Sequence, residues 1–112
     1  MKKVYKVYIQ KFVENVGMQI DKTTWTVTPS PEAARAAFVE LLTTDEYKGK
    51  KAQVVLSLNS YRLMLHRFNA EPGSEYYVGV DDEITLEMPE NLDPKWLEKK
   101  NKQKQRQQHA NI

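Results

Sequence analysis

Apolar residues recur with a helical period in only one stretch of this sequence; nearly everywhere else they alternate. Ala34, Ala37, Phe38, Leu41 and Leu42 stand at i, i+3, i+4, i+7 and i+8, the stripe of an amphipathic helix. Just upstream, Ser30 can accept hydrogen bonds from free backbone N–H groups, Pro31 suits the first helical position, and Glu32 favours the positive end of the helix dipole. The spacing therefore predicts a helix that starts at Pro31 and ends near Thr43 or a little later.

The alternating stretches predict strands. Residues 4–12 read VYKVYIQKF, with Tyr5, Val7 and Ile9 on one parity and Lys6, Tyr8, Gln10 and Phe12 on the other. After a break at Asn15 to Gly17, Met18 and Ile20 share one parity and Trp25 and Val27 the other. The alternation slips around Asp21 and Lys22, as in a strand with a bulge or in two short strands split by a turn. Beyond Gly49, Ala52, Val54, Leu56 and Leu58 alternate, as do Tyr61, Leu63 and Leu65, with Asn59-Ser60 between them as a tight hairpin turn. Glu71 to Ser74 interrupts again. Tyr76, Val78 and Val80, then Ile84, Leu86 and Met88, predict two more short strands around Asp81-Asp82.

The expected fold class is α+β, in the order ββ-α-ββ-ββ: an antiparallel sheet of five or six short strands with one amphipathic helix packed on a face. Asp93-Pro94 repeats the cap-plus-proline signal and predicts a polar C-terminal helix with Trp96 and Leu97 as its only large apolar residues. The domain expectation is a single α+β domain over residues 1–92, followed by a basic helix or tail over 93–112 that is partly disordered. A length of 112 residues leaves no room for a second core.

Several function classes fall away. The chain has no cysteine, which removes disulfide scaffolds, thiol catalysis and Cys-based metal sites. No apolar run approaches the roughly 18 residues of a membrane span, and no apolar segment of signal-peptide type follows Lys2 and Lys3, so a cytoplasmic protein without membrane contact is expected. His66 and His109 stand outside any HExxH arrangement, and no GxSxG is present. Gly17, Gly49, Gly73 and Gly79 are too dispersed to cradle a phosphate, and Asp81, Asp82 and Glu83, with Glu87 and Glu90 nearby, lack the spacing of a calcium loop. The expectation is a protein with no catalytic site, no cofactor and no metal.

Attention then falls on surfaces. Residues 1–92 hold 11 Lys and Arg against 13 Asp and Glu, a balance of −2, whereas residues 93–112 hold 6 against 2, a balance of +4. If Tyr5, Val7 and Ile9 face the helix, then Lys6, Tyr8 and Phe12 face away from it, and by parity Arg62, Met64, His66 and Phe68 lie opposite Leu63 and Leu65. Cations beside aromatic rings on an open sheet suit a protein interface, in which Tyr, Phe, Met and Arg are enriched. They equally suit stacked single-stranded bases. A sheet face covered by the C-terminal helix would account for the same residues with no partner at all.

In the tail, Lys95, Lys99, Lys102 and Arg106 fall within an arc of about 60° if a helix persists, a stripe that could follow phosphates. Four such contacts imply a log K against log salt slope of about −3.6 on duplex DNA. A solvated tail of no specific use has the same composition.

Two functional expectations follow. The first is a non-enzymatic protein that docks on a larger protein or nucleoprotein complex and modulates or inhibits it, as an anti-CRISPR-like, phage- or mobile-element-encoded inhibitor of a host defence system would. Its interface would be drawn from Lys6, Tyr8, Phe12, Arg62, His66 and Phe68, with Asp81, Asp82 and Glu83 available for a basic partner surface. The second is a nucleic-acid-binding accessory protein that uses Lys95, Lys99, Lys102 and Arg106 together with the aromatic and basic sheet face. An exposed edge strand would also allow two copies to pair.

Overall fold

A computed structural model describes residues 2–89, arranged as four strands and one helix. The strands are β1 (Tyr5–Val13), β2 (Gly17–Thr28), β3 (Ala52–Leu58) and β4 (Tyr61–Arg67), and the helix α1 (Pro31–Leu42) lies between β2 and β3 in the chain. All neighbours are antiparallel, in the order β2-β1-β3-β4, so the two long-range partners β1 and β3 form the centre. The fold is α+β, one antiparallel sheet with one helix against it. None of the helices described is long and apolar enough to cross a membrane.

The helix begins where the sequence places it. Ser30 is extended, and its side chain accepts the Ala33 N–H at 3.2 Å; Pro31 and Glu32 follow in the first turn. Ala34 and Phe38 point from α1 into the sheet and meet Tyr5, Val7 and Ile9 of β1 and Val54 and Leu56 of β3, all of them buried. The Asn59-Ser60 turn has φ of 50° and 70°, the left-handed pair that a two-residue hairpin between right-twisted strands requires. Asn59 also ties this hairpin to β1: its side-chain oxygen accepts the Val4 N–H at 2.9 Å while its own N–H donates to the Val4 carbonyl at 2.9 Å.

Two irregularities decide which side chains face which way. In β2, the register steps from Val7↔Thr26 to Ile9↔Asp21, so the residues between Asp21 and Thr26 bulge opposite Tyr8. Thr24 Oγ1 plugs the gap, accepting the Ile9 N–H at 2.9 Å and donating to the Asp21 carbonyl at 2.7 Å. Of the two expected forms, the structure has the single strand with a bulge. In β4, Leu56 pairs with Met64 but Ser57 with Arg62, leaving Leu63 as the extra residue.

The expected fifth and sixth strands are absent among the described residues. Residues 76–88 instead wrap irregularly over the helix side of the sheet, sinking Val78 and Ile84 into the core. Their polar backbone groups are met one at a time, mostly by side chains. His66 Nδ1 accepts the Val78 N–H at 3.0 Å, the Tyr5 hydroxyl donates to the Leu86 carbonyl at 2.7 Å, and the Arg67 N–H donates to the Tyr76 carbonyl at 2.8 Å. Asp82 closes a local turn by accepting the Gly79 N–H at 2.7 Å, a bond that competes with ladder formation. The alternation reflects burial of every second residue against a core, which a strand needs but does not monopolise. The expected C-terminal helix lies outside the described residues, as do Lys95, Lys99, Lys102 and Arg106.

Candidate functional site: the outer face of the sheet

The side of the sheet away from α1 collects an unusual set of residues for a surface. From β1 come Lys6, Tyr8, Gln10 and Phe12, which face opposite to buried Tyr5, Val7 and Ile9. Register carries the face across the neighbouring strands: Phe12 pairs with Met18, Gln10 with Ile20 and Lys6 with Val27, while Trp25 stacks on Tyr8 with ring centroids 5.0 Å apart and planes 25° from parallel. The β2 bulge makes this possible. Met18 and Ile20 have one sequence parity and Trp25 and Val27 the other, and the inserted residues rotate both pairs onto one face.

On the other flank, Tyr8 pairs with Val55, and Val55 pairs with Leu65, two buried residues that lie outside the helix-side core. Gln10 and Gln53 bridge the centre, the Gln53 Nε2 donating to Gln10 Oε1 at 2.6 Å. Arg62 sits beside Ser57 on the same side, with Arg67 at the far end beside Gln53. Burial raises the Tyr8 phenol above its usual pKa and the nearby Arg62 guanidinium pulls it back, which places a cation next to a half-buried ring.

Aliphatic and aromatic groups here remain open to solvent: Phe12 is 48%, Trp25 42% and Val27 51% exposed. Cations lie over three rings, Lys6 at 5.9 Å from Trp25, Lys51 at 5.4 Å from Phe12 and Arg67 at 4.4 Å from Tyr76. The four strands contain one acidic residue, Asp21, and it is turned to the helix side, where it accepts the Tyr47 hydroxyl as well as the Thr23 N–H and hydroxyl. Those hydrogen bonds, Thr23 first and Tyr47 next, hold the Asp21 carboxyl below its usual pKa. The strands themselves thus place no carboxylate on the outer face beside Lys6, Arg62 and Arg67.

Of the residues singled out from sequence, Lys6, Tyr8, Phe12 and Arg62 come together on this face. His66 and Phe68 do not. The Leu63 bulge reverses the parity of β4 after Arg62, so Met64 and His66 join Leu56 and Val54 on the helix side, and Phe68 packs against the core beside Tyr47. The same reversal brings Leu65 outward.

His66 is only 6% exposed, edge-on to Phe68 and Tyr77, and Val78 occupies its Nδ1. Burial lowers its pKa, so the ring is a neutral acceptor that anchors the wrapping segment. Asp81, Asp82 and Glu83 are exposed on that segment, between Val78 and Ile84, and therefore border the helix side. Among the described residues, no three His, Asp or Glu side chains converge as a metal-binding group.

Met18, Ile20, Trp25, Val27, Lys51 and Arg67 belong to the face and are not singled out from sequence. The readable signal for four of them is the parity slip at Asp21 and Lys22, because a bulge there puts both apolar pairs on the same side. Comparison of the chain with protein-family models, curated proteins and solved structures finds no match.

Proposed function

We propose that this protein is a non-enzymatic binding module that docks its outer sheet face on a larger macromolecule and thereby changes what that partner can do. The observation that carries the reading is the composition of that face: an open apolar strip of Phe12, Met18, Ile20, Trp25 and Val27, flanked by cations and free of carboxylates along the strands. Large exposed apolar patches on small domains mark interaction sites. Charge complementarity asks for a partner that presents negative charge around an apolar or aromatic centre. A cytoplasmic inhibitor of a host defence system, encoded by a phage or other mobile element, is a setting that such a module suits, because masking a partner's surface needs no chemistry.

The test places a photo-crosslinking amino acid in the full chain at Val27 on the outer face or at Ala36 on the exposed side of α1. In expressing cells, discrete adducts are expected from position 27, absent from position 36 and lost when Arg62→Glu is added. Equal labelling from both positions, or none from position 27, would overturn the reading.

A further inference from the structure

We infer that the partner of the outer face is a single-stranded nucleic acid, whose bases stack on the face's rings while Lys and Arg side chains meet its phosphates. The inference rests on the outer face being the binding surface.

Three occupants of an apolar, basic face are disfavoured by observations already made. A second copy would set the cluster of Lys6, Arg62 and Arg67 against another like it, with no outward carboxylate on the strands of either copy to offset the repulsion. The chain's own residues 93–112 carry a balance of +4 and would meet the same repulsion. A membrane surface is best entered by protruding apolar side chains. Here Trp25 lies flat against Tyr8, and the strip follows the strands.

A nucleic-acid strand matches the pairing of features as well as their sum. Rings occur with a cation at both ends of the face: Trp25 and Tyr8 with Lys6 and Arg62 at one, Phe12 with Lys51 at the other. Tyr8 and Phe12 are four residues apart on β1, about 13 Å along the strand, a span of a few nucleotides. Phosphates supply the distributed negative charge, and every base supplies a π-face. Between the two ends, the Gln10 and Gln53 amides, beyond the one bond they share, offer donors and acceptors for base edges. Duplex bases are already stacked on each other and cannot reach these rings, so a single strand is expected to bind more tightly than a duplex.

The experiment is fluorescence anisotropy of the full chain with labelled 20-mers of deoxythymidine and of uridine, and with a 20-base-pair duplex, at 50 and 200 mM salt. Trp25→Ala and the double variant Arg62→Glu/Arg67→Glu are measured in parallel, their folding verified by circular dichroism. The single strands are expected to bind more tightly than the duplex; the two single-strand arms decide between DNA and RNA. Trp25→Ala is expected to weaken binding by about 5- to 150-fold, the range for loss of one stacked base. The double charge reversal should reduce the salt dependence.

Binding that ignores Trp25→Ala, or a duplex bound as tightly as the single strands, would assign the affinity to residues 93–112 and overturn the inference. So would absence of binding at 50 mM salt. In that case, position-27 adducts that resist nuclease would leave the docking face standing with a protein partner. Vesicles of phosphatidylserine form the last arm: their capture by the protein, lost in Trp25→Ala and without oligonucleotide binding, would replace the strand with a lipid surface.

Discussion

The two faces of this sheet are made by the same four strands and have opposite physical characters. On the helix side, Val7, Ile9, Val54 and Leu56 are fully enclosed with Phe38, and polar groups that reach inward, the Tyr5 hydroxyl and His66, are each satisfied by a backbone partner. On the outer side, Phe12, Met18, Trp25 and Val27 stand about half in water, with Lys6 and Lys51 over two of the rings. Folding free energy is drawn from the first face; the second holds apolar surface whose burial is still to be gained. The difference teaches that the apolar content of a strand cannot be assigned to stability until the side it faces is known.

The largest expected effect tests the enclosed side. Phe38→Ala removes the ring at the centre of the core and should cost about 3–5 kcal/mol, read from urea unfolding, enough to unfold much of a domain this small. Trp25→Ala deletes a larger ring from the open face and should cost far less. Equal losses would erase the distinction between the faces. Ser30→Ala comes next, at about 1 kcal/mol, because the Ala33 N–H at the start of α1 loses its acceptor.

The single helix and its cap were legible because a 3.6-residue stripe follows directly on Ser30-Pro31-Glu32. The Asn59-Ser60 turn was legible because few residue pairs tolerate two consecutive left-handed conformations. The Leu63 bulge was not legible: Leu is apolar, it extends the alternation on either reading, and nothing in the residue types marks it as the extra one. That one residue carried His66 and Phe68 from the expected interface into the helix side, and Leu65 the other way. Residues 76–88 misled for a related reason, since alternate burial is satisfied there by a wrap whose N–H groups go to side-chain acceptors instead of a strand.

A smaller effect concerns His66, which pins that wrap to the enclosed side. Its folded pKa lies below the ordinary value near 6.5, so between the two the unfolded chain binds more protons than the folded one. Stability is therefore whole above about pH 6.5 and declines as pH falls toward the folded pKa. The urea midpoint should drop between pH 7 and pH 5, well above the range in which ordinary carboxylates titrate. In His66→Gln that slope should disappear. A wild-type midpoint that stays flat over this interval would mean that the ring is freely solvated, as a residue of the outer face would be.

The smallest expected effect is the sharpest test of the open face. Val27 stands on the edge strand, 51% exposed, paired across to Lys6. Val27→Glu should alter stability by no more than about 0.5 kcal/mol, since a long side chain there can extend into water beside Lys6 and leaves no cavity. A loss of 2 kcal/mol or more would mean that Val27 is buried in the intact chain, so that the outer face is already covered from within. The strip around Trp25 would then belong to the core, and the two faces would differ only in which part of the chain encloses them. Retained stability together with weakened partner binding separates the two roles at a single position: the strand tolerates a charge there, and the partner does not.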